Sequence, residues 1–202
     1  ARGWMVLAWP STRAQDHGSV HGLPVAPDGA IWFSASPSGL RRLDPATGGV
    51  RTLRQDNAID GALPEDTVGT LFIDSAGRLW VGGQYHGLAV AASAGARFRY
   101  LVDPQRRGDD GVLVDSSIRS VFQDRSGRLW LGTDDGRLLR HAPGTGFKDF
   151  TRLLPETDSS RGHRVMAFAD DGSGRPWVAT SVGLFRFDPE RPALTAVPIP
   201  SV

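Results

Sequence analysis

The run Asp124-Arg125-Ser126-Gly127-Arg128-Leu129-Trp130-Leu131-Gly132 decides how this chain folds. An acidic residue opens a turn, a glycine closes it, and a tryptophan follows inside a short apolar strand. Three other stretches repeat the device with small changes: Asp28–Phe33 (DGAIWF), Asp74–Gly82 (DSAGRLWVG) and Asp170–Ala179 (DDGSGRPWVA). The tryptophans at 32, 80, 130 and 177 are spaced by 48, 50 and 47 residues. A fixed period in that range marks repeated supersecondary units, as in solenoids, propellers and arrays.

Aligning the units on their tryptophans gives four short segments in each. The first precedes the turn, at Leu23–Ala26, Val68–Ile73, Ile118–Gln123 and Val165–Ala169. The second carries the tryptophan, at Ala30–Ser34, Arg78–Gly82, Arg128–Gly132 and Arg175–Thr180. The third opens at Gly39, Gly87, Gly136 or Gly183, and the fourth lies at Val50–Arg54, Phe98–Val102, Phe147–Leu153 and Leu194–Ile199. No long stretch shows helical periodicity, whereas 25 glycines and 14 prolines punctuate the chain, the pattern of an all-β protein with many turns. Four antiparallel strands per unit make a propeller blade.

The expected architecture is therefore an all-β propeller of about four blades, near 18–54, 63–102, 114–153 and 161–200. Together they form a single domain, or a fragment of one, over 1–202. Residues 1–10, with the apolar run Trp4–Trp9, supply the outer strand of a preceding blade. That spare strand points to a larger ring, whose open flanks pair with another copy when the chain stands alone, because an unclosed sheet array leaves edges exposed.

Each signature residue has a backbone reason. Asp74 and Asp124 open turns whose amides a carboxylate can accept, Gly77 and Gly127 take the positive φ that closes them, and the indole fills the space between blades. These are structural roles.

Composition removes several function classes. Basic and acidic residues number 23 and 22, for a net charge of +1, and no Lys/Arg block exceeds two residues. A nucleic-acid footprint of clustered positive charge is absent. Cysteine is absent, which excludes disulfides and cysteine-ligated metals. No apolar run approaches the roughly 20 residues of a spanning helix, so membrane attachment would come only from segments outside this chain. No cofactor motif is present.

The stretch Ile118–Thr133 (IRSVFQDRSGRLWLGT) resembles the two-component regulator propeller repeat found in the sensory regions of hybrid histidine kinases and some diguanylate cyclases. Val68–Gly83 is similar, with Gly83 in place of threonine, and Val165–Thr180 is similar, with an inserted aspartate and Pro176 in place of leucine. The resemblance implies a non-catalytic, ligand-sensing propeller. It would be the periplasmic or other extracytoplasmic domain of a membrane-anchored bacterial signalling protein, with rings that often hold seven blades. The first unit, Gly22–Phe33, resembles the repeat of streptogramin lyases, which implies an alternative: a lyase with a histidine base and a divalent metal, for which His86 and His163 are candidates. Against it, Trp32-Phe33-Ser34-Ala35 lacks the acid of that family's Trp-Phe-Thr-Glu signature. A sialidase-like reading fails on the missing Ser/Thr two residues before the aspartate.

In an up-and-down blade, the loops joining strands two to three and four to one emerge at the same end of the ring. Function sits preferentially on such loops. His17, His21, His86 and His163 all fall in them. Gln84-Tyr85-His86 is the leading candidate for an organic ligand, a small molecule or a glycan, because an aromatic stands beside a histidine. Asp134-Asp135 follows, with His21 and His163 completing the set. The competing reading is that these are solvated loop residues. No residue is assigned a catalytic role, and no His-x-x-x-His spacing points to a metal.

Overall fold

The computed structural model describes residues 20–35, 37–85, 87–92, 97–101, 117–142, 145–156 and 163–199. The expected outer strand at 1–10, together with His17, His86 and most of the 104–117 loop, lies outside them. Sixteen strands occupy the described residues. Blade 1 holds β1 (Val20–His21), β2 (Ile31–Ala35), β3 (Leu40–Leu43) and β4 (Val50–Leu53), and blade 2 holds β5 (Val68–Ile73), β6 (Arg78–Gly83), β7 (Leu88–Ala92) and β8 (Arg99–Tyr100). Blade 3 holds β9 (Ile118–Gln123), β10 (Leu129–Thr133), β11 (Leu138–Ala142) and β12 (Gly146–Asp149), and blade 4 holds β13 (Val165–Ala169), β14 (Trp177–Thr180), β15 (Gly183–Asp188) and β16 (Ala193–Val197). Each sheet is antiparallel with its strands in chain order. First strands pack on one another from blade to blade, β1 on β5, β5 on β9 and β9 on β13. The fold is a β-propeller array with its first strands innermost.

The core is divided into layers between blades. Trp32 packs with Leu71, Leu79 and Val81 of blade 2, Trp80 with Ile118, Leu131 and Leu139 of blade 3, and Trp130 with Val165, Val178 and Phe187 of blade 4. These indoles are 1%, 2% and 0% exposed, so truncating any of them to alanine costs about 3–5 kcal/mol.

Asp74 does more than cap its turn. Its Oδ1 accepts the amides of Ala76 (3.0 Å) and Arg78 (2.9 Å), and its Oδ2 accepts Arg78 Nε (2.7 Å) and Trp80 Nε1 (2.8 Å). Asp124 repeats the set on Ser126, Arg128 and Trp130. One carboxylate thus ties the turn to the indole six residues on. In blade 4 the inserted aspartate resolves into two roles. Asp171 accepts Trp177 Nε1 at 2.9 Å, while Asp170 reaches back to Arg125 of blade 3 at 2.9 Å.

Blade 1 departs from the expected device. The Ala26 amide donates to Ala30 at 2.8 Å, as Asp74 does to Arg78, and Ala26 stands six residues before Trp32. The acid sits two residues late. Asp28 instead accepts Ala30 N (3.1 Å) and Arg42 Nη2 (2.5 Å), and the buried Trp32 Nε1 has no partner. The first strand also differs from the expected Leu23–Ala26. It lies at Val20–His21, with Val25 only an isolated bridge to Ile31, because Gly22 turns at φ +65° and Pro24 has no amide to donate. In blade 3 the expected strand Phe147–Leu153 stops at Asp149, whose Oδ1 accepts Thr151 N at 2.8 Å, and Thr151–Leu153 forms a 3-10 turn.

Two outcomes follow from this bonding. Ala26→Asp supplies the missing acceptor for Trp32 and raises unfolding free energy by about 1 kcal/mol, the net worth of one such bond; a urea midpoint unchanged or lowered would show that the indole is not reached. Burial opposes the charge of Asp74, but bonds from Trp80 and Arg78 outweigh it and hold the pKa below 3.8. The unfolded chain therefore binds the proton first, so this stabilisation is complete above about pH 4 and is lost as pH falls through the lowered range. Asp74→Asn flattens that acid limb in pH-dependent urea titrations.

Candidate functional site

The site is built from an irregularity in the innermost strands. In β5 the pairing with β6 skips Gly69, in β9 the pairing with β10 skips Arg119, and in β13 the pairing with β14 skips Met166. A bulge leaves its extra residue outside the ladder and re-aims it. Blade 1 shows no such skip: His21 follows Val20 but stays in the ladder, paired with Ser34. One residue from each blade, His21, Gly69, Arg119 and Met166, lines a single cavity of about 390 Å³ at the end of the array where the two-to-three and four-to-one loops emerge.

Two of the expected loops close its wall. Gln84 lines the cavity and its amide donates to Thr67 O at 3.2 Å. Asp134 also lines it. Its amide donates to Ser117 O at 3.0 Å, and its carboxylate accepts Ser117 Oγ (3.0 Å) and Arg119 Nη1 (2.7 Å). The guanidinium is held by a partner that is itself anchored, which fixes its direction while other N–H donors remain for a ligand. The wall therefore offers a cation, a carboxylate, an amide, an imidazole and one thioether. Among the described residues no group of three or more His, Asp or Glu is placed to hold a metal.

The other expected residues lie elsewhere. Tyr85 is exposed on the rim, and Asp135 sits on the same turn as Asp134, outside the cavity wall. His163 is buried between blades 3 and 4. Its Nε2 faces the Pro155 carbonyl, so that nitrogen is the donor, and Nδ1 is buried without a partner. A side chain at Gly136, where φ is +90°, would strike the His163 carbonyl, so this histidine belongs to a tight interblade seam. His141 packs between Trp80 and Phe147, where burial and the nearby Arg78 and Arg99 lower its pKa. Arg119 and Met166 were not singled out by sequence. Their signal is position, one residue past the β-branched residue that opens each inner strand.

Residues 62–85 and 112–135 match a family model, that of the two component regulator propeller. The two matches fall on the second and third blades. No curated protein matches the chain. Among solved structures, the extracellular domain assigned to a hybrid two component system of B. thetaiotaomicron superposes with a TM-score of 0.73 at 18% identity, covering 93% of this chain and 25% of that one. A second such domain from the same organism gives 0.69 at 20% identity, covering 90% and 22%. A catalytically inactive virginiamycin B lyase from Staphylococcus aureus, with quinupristin, gives 0.68 at 15% identity, covering 94% and 58%. The likeness is one of fold. The chain spans about a quarter of the length of those two extracellular domains and just over half of the lyase's.

Within the regulator repeat, blade 2 carries a compensated substitution. Thr133 Oγ1 accepts Arg137 N at 2.7 Å and Thr180 Oγ1 accepts Val182 N at 3.2 Å, each steadying the loop after the second strand. Gly83 occupies that place in blade 2. The buried Glu65 carboxylate does the work instead, accepting the Tyr85 amide at 3.0 and 3.2 Å, and any Cβ at 83 would overlap it. Gly83→Thr alone should cost about 1–3 kcal/mol through overpacking. Adding Glu65→Ala should recover most of that loss, because the threonine then finds both its space and its amide. A double-mutant cycle by urea denaturation checks this; strict additivity would show that the two sites do not compete.

Proposed function

We propose that this chain is the non-catalytic sensory propeller of a signal-transduction protein, exposed outside the cytoplasm of a bacterium. A small polar ligand, a sugar or a short glycan, binds in the cavity at the loop end of the inner strands. The observation that carries the reading is the convergence of residues from all four blades on one cavity, in a chain whose second and third blades match the two component regulator propeller model. Arg119, Gln84 and His21 present donors and Asp134 an acceptor, a set suited to hydroxyl-bearing ligands, while Met166 gives an apolar patch for a ring face. Ligand in this position bridges the inner strands of several blades, so its binding reports on their relative placement, which is what a sensor transmits.

The fold likeness to a lyase supplies the rival reading. Its histidine base would have to come from His86 or His163, and His163 donates Nε2 to Pro155 inside a seam. Incubation with quinupristin and magnesium is expected to leave the substrate intact.

The test is a thermal-shift screen of mono- and disaccharides, followed by calorimetry. At least one sugar is expected to raise Tm, and Arg119→Ala or Gln84→Ala should weaken its binding at least tenfold, about 1.4 kcal/mol, without moving the Tm of the free protein. No shift across the screen, binding untouched in both variants, or turnover of quinupristin would overturn the assignment.

A further inference from the structure

Two buried hydroxyls cross from one blade to the next beside the cavity. Ser34 is 0% and Ser120 8% exposed. Ser120 Oγ of blade 3 donates to the Val165 carbonyl of blade 4 at 3.1 Å. Ser34 Oγ of blade 1 stands 3.3 Å from the Val68 carbonyl of blade 2 and 3.1 Å from that of His21 in its own blade. A hydroxyl has one proton to give, so Ser34 shares it between two residues of the cavity wall.

Val68 and Val165 hold equivalent places. Each is the residue after which the inner ladder skips, leaving Gly69 and Met166 unpaired. A carbonyl and the amide that follows it lie in one plane. Holding the Val165 carbonyl therefore fixes the direction of the Met166 N–H, and holding that of Val68 fixes the Gly69 N–H. The donors come from different strands. Ser120 faces Gly132 in its ladder, and a Cβ at 132 would collide with both Ser120 Oγ and the Val165 carbonyl. In blade 1 the matching pair is His21 and Ser34, with the hydroxyl on the tryptophan strand instead. The same acceptor is thus reached from either side of one ladder position. At the middle joint Gly69 itself backs onto the Ile118 carbonyl, which a Cβ there would approach to 3.2 Å, and Arg119 takes its direction from Asp134 at 2.7 Å.

We infer that Ser34 and Ser120 are positioning residues of the cavity: each sets, from the preceding blade, the peptide plane that carries the next blade's wall residue. The inference rests on the cavity being the binding site proposed above, and adds how its walls are kept in register. Arg119 and Ser120 are neighbours in β9, so a contact on Arg119 and a contact on Met166 meet at one strand. Movement of blade 4 against blade 3 then passes through the bond from Ser120 to Val165.

NMR of the free full chain tests this. A peptide nitrogen shares its electrons with the preceding carbonyl, so the Met166 amide nitrogen senses the bond on Val165. The chain has two methionines, and Met166→Leu assigns the methyl signal. Ser120→Ala is expected to move the Met166 amide nitrogen and methyl more than the signals of any residue in β13 beyond Val165. Ser34→Ala should move the Gly69 nitrogen in the same way. Each variant should also raise the unfolding constant about fivefold, the worth of one such bond. Phe122→Leu is the control, since Phe122 stacks on Phe168 at the same joint with centroids 6.1 Å apart. It should lower stability and leave the Met166 signals in place, which separates positioning from general loosening of the joint. If Ser120→Ala fails to fold, Ser120→Cys, with a weaker donor of similar shape, takes its place. Met166 unmoved in the folded Ser120 variant, Met166 moved equally by Phe122→Leu, or Gly69 unmoved in Ser34→Ala would each overturn the inference. Met166 answering to Ser120 in a chain that takes no sugar would support the positioning role and sink the sugar-binding reading alone.

Discussion

The bond between a turn carboxylate and an indole six residues later is the constraint on which the rest of the array depends. A buried indole N–H without a partner costs about 1–3 kcal/mol, a cost that Trp32 bears and that an acceptor on the same hairpin removes. Asp74 and Asp124 meet that need from the hairpin that carries the tryptophan, through Oδ2 at 2.8 and 2.9 Å. Because Oδ1 holds the turn amides, turn geometry and ring orientation are set by one side chain. The layers around Trp80 and Trp130 can then be apolar throughout, with the polar end of each indole already satisfied before the next blade arrives.

How far the sequence reveals this depends on whether the information is local. The four-stranded units, their order and the tryptophan layer are legible, because each rests on spacing along the chain. The two-residue displacement of the acid in blade 1 is equally local, yet DGAIWF reads like the other turns until Ala26, and not Asp28, is seen to donate to Ala30. Blade 4 shows the converse. Two adjacent aspartates look like an insertion, and only the partner across the interface, Arg125, separates Asp170 from Asp171.

The candidate cavity was legible by end and not by residue. Loop topology places Gln84, Asp134 and His21 on one rim, and the cavity gathers these three. Arg119 and Met166 escape such reasoning because they sit in strands, where a polar or flexible residue reads as an ordinary member of a two-fold alternation. A bulge changes that alternation by one residue, and a bulge is a relation between two strands that neither strand shows alone. His163 went the other way: its loop position put it among the candidate ligand residues of the rim, whereas the close approach of Gly136 draws its backbone into a seam.

The skipped position in the inner strands has a consequence for how this scaffold changes its chemistry. Hydrogen, guanidinium and thioether occupy the same skipped station in the second, third and fourth blades, although the ladders on either side of it keep equivalent pairings. Like the pins of a tumbler lock, these stations can be recut one at a time while the barrel that holds them stays in place. A new specificity is then a matter of a few side chains, and the architecture need not be rebuilt to acquire it.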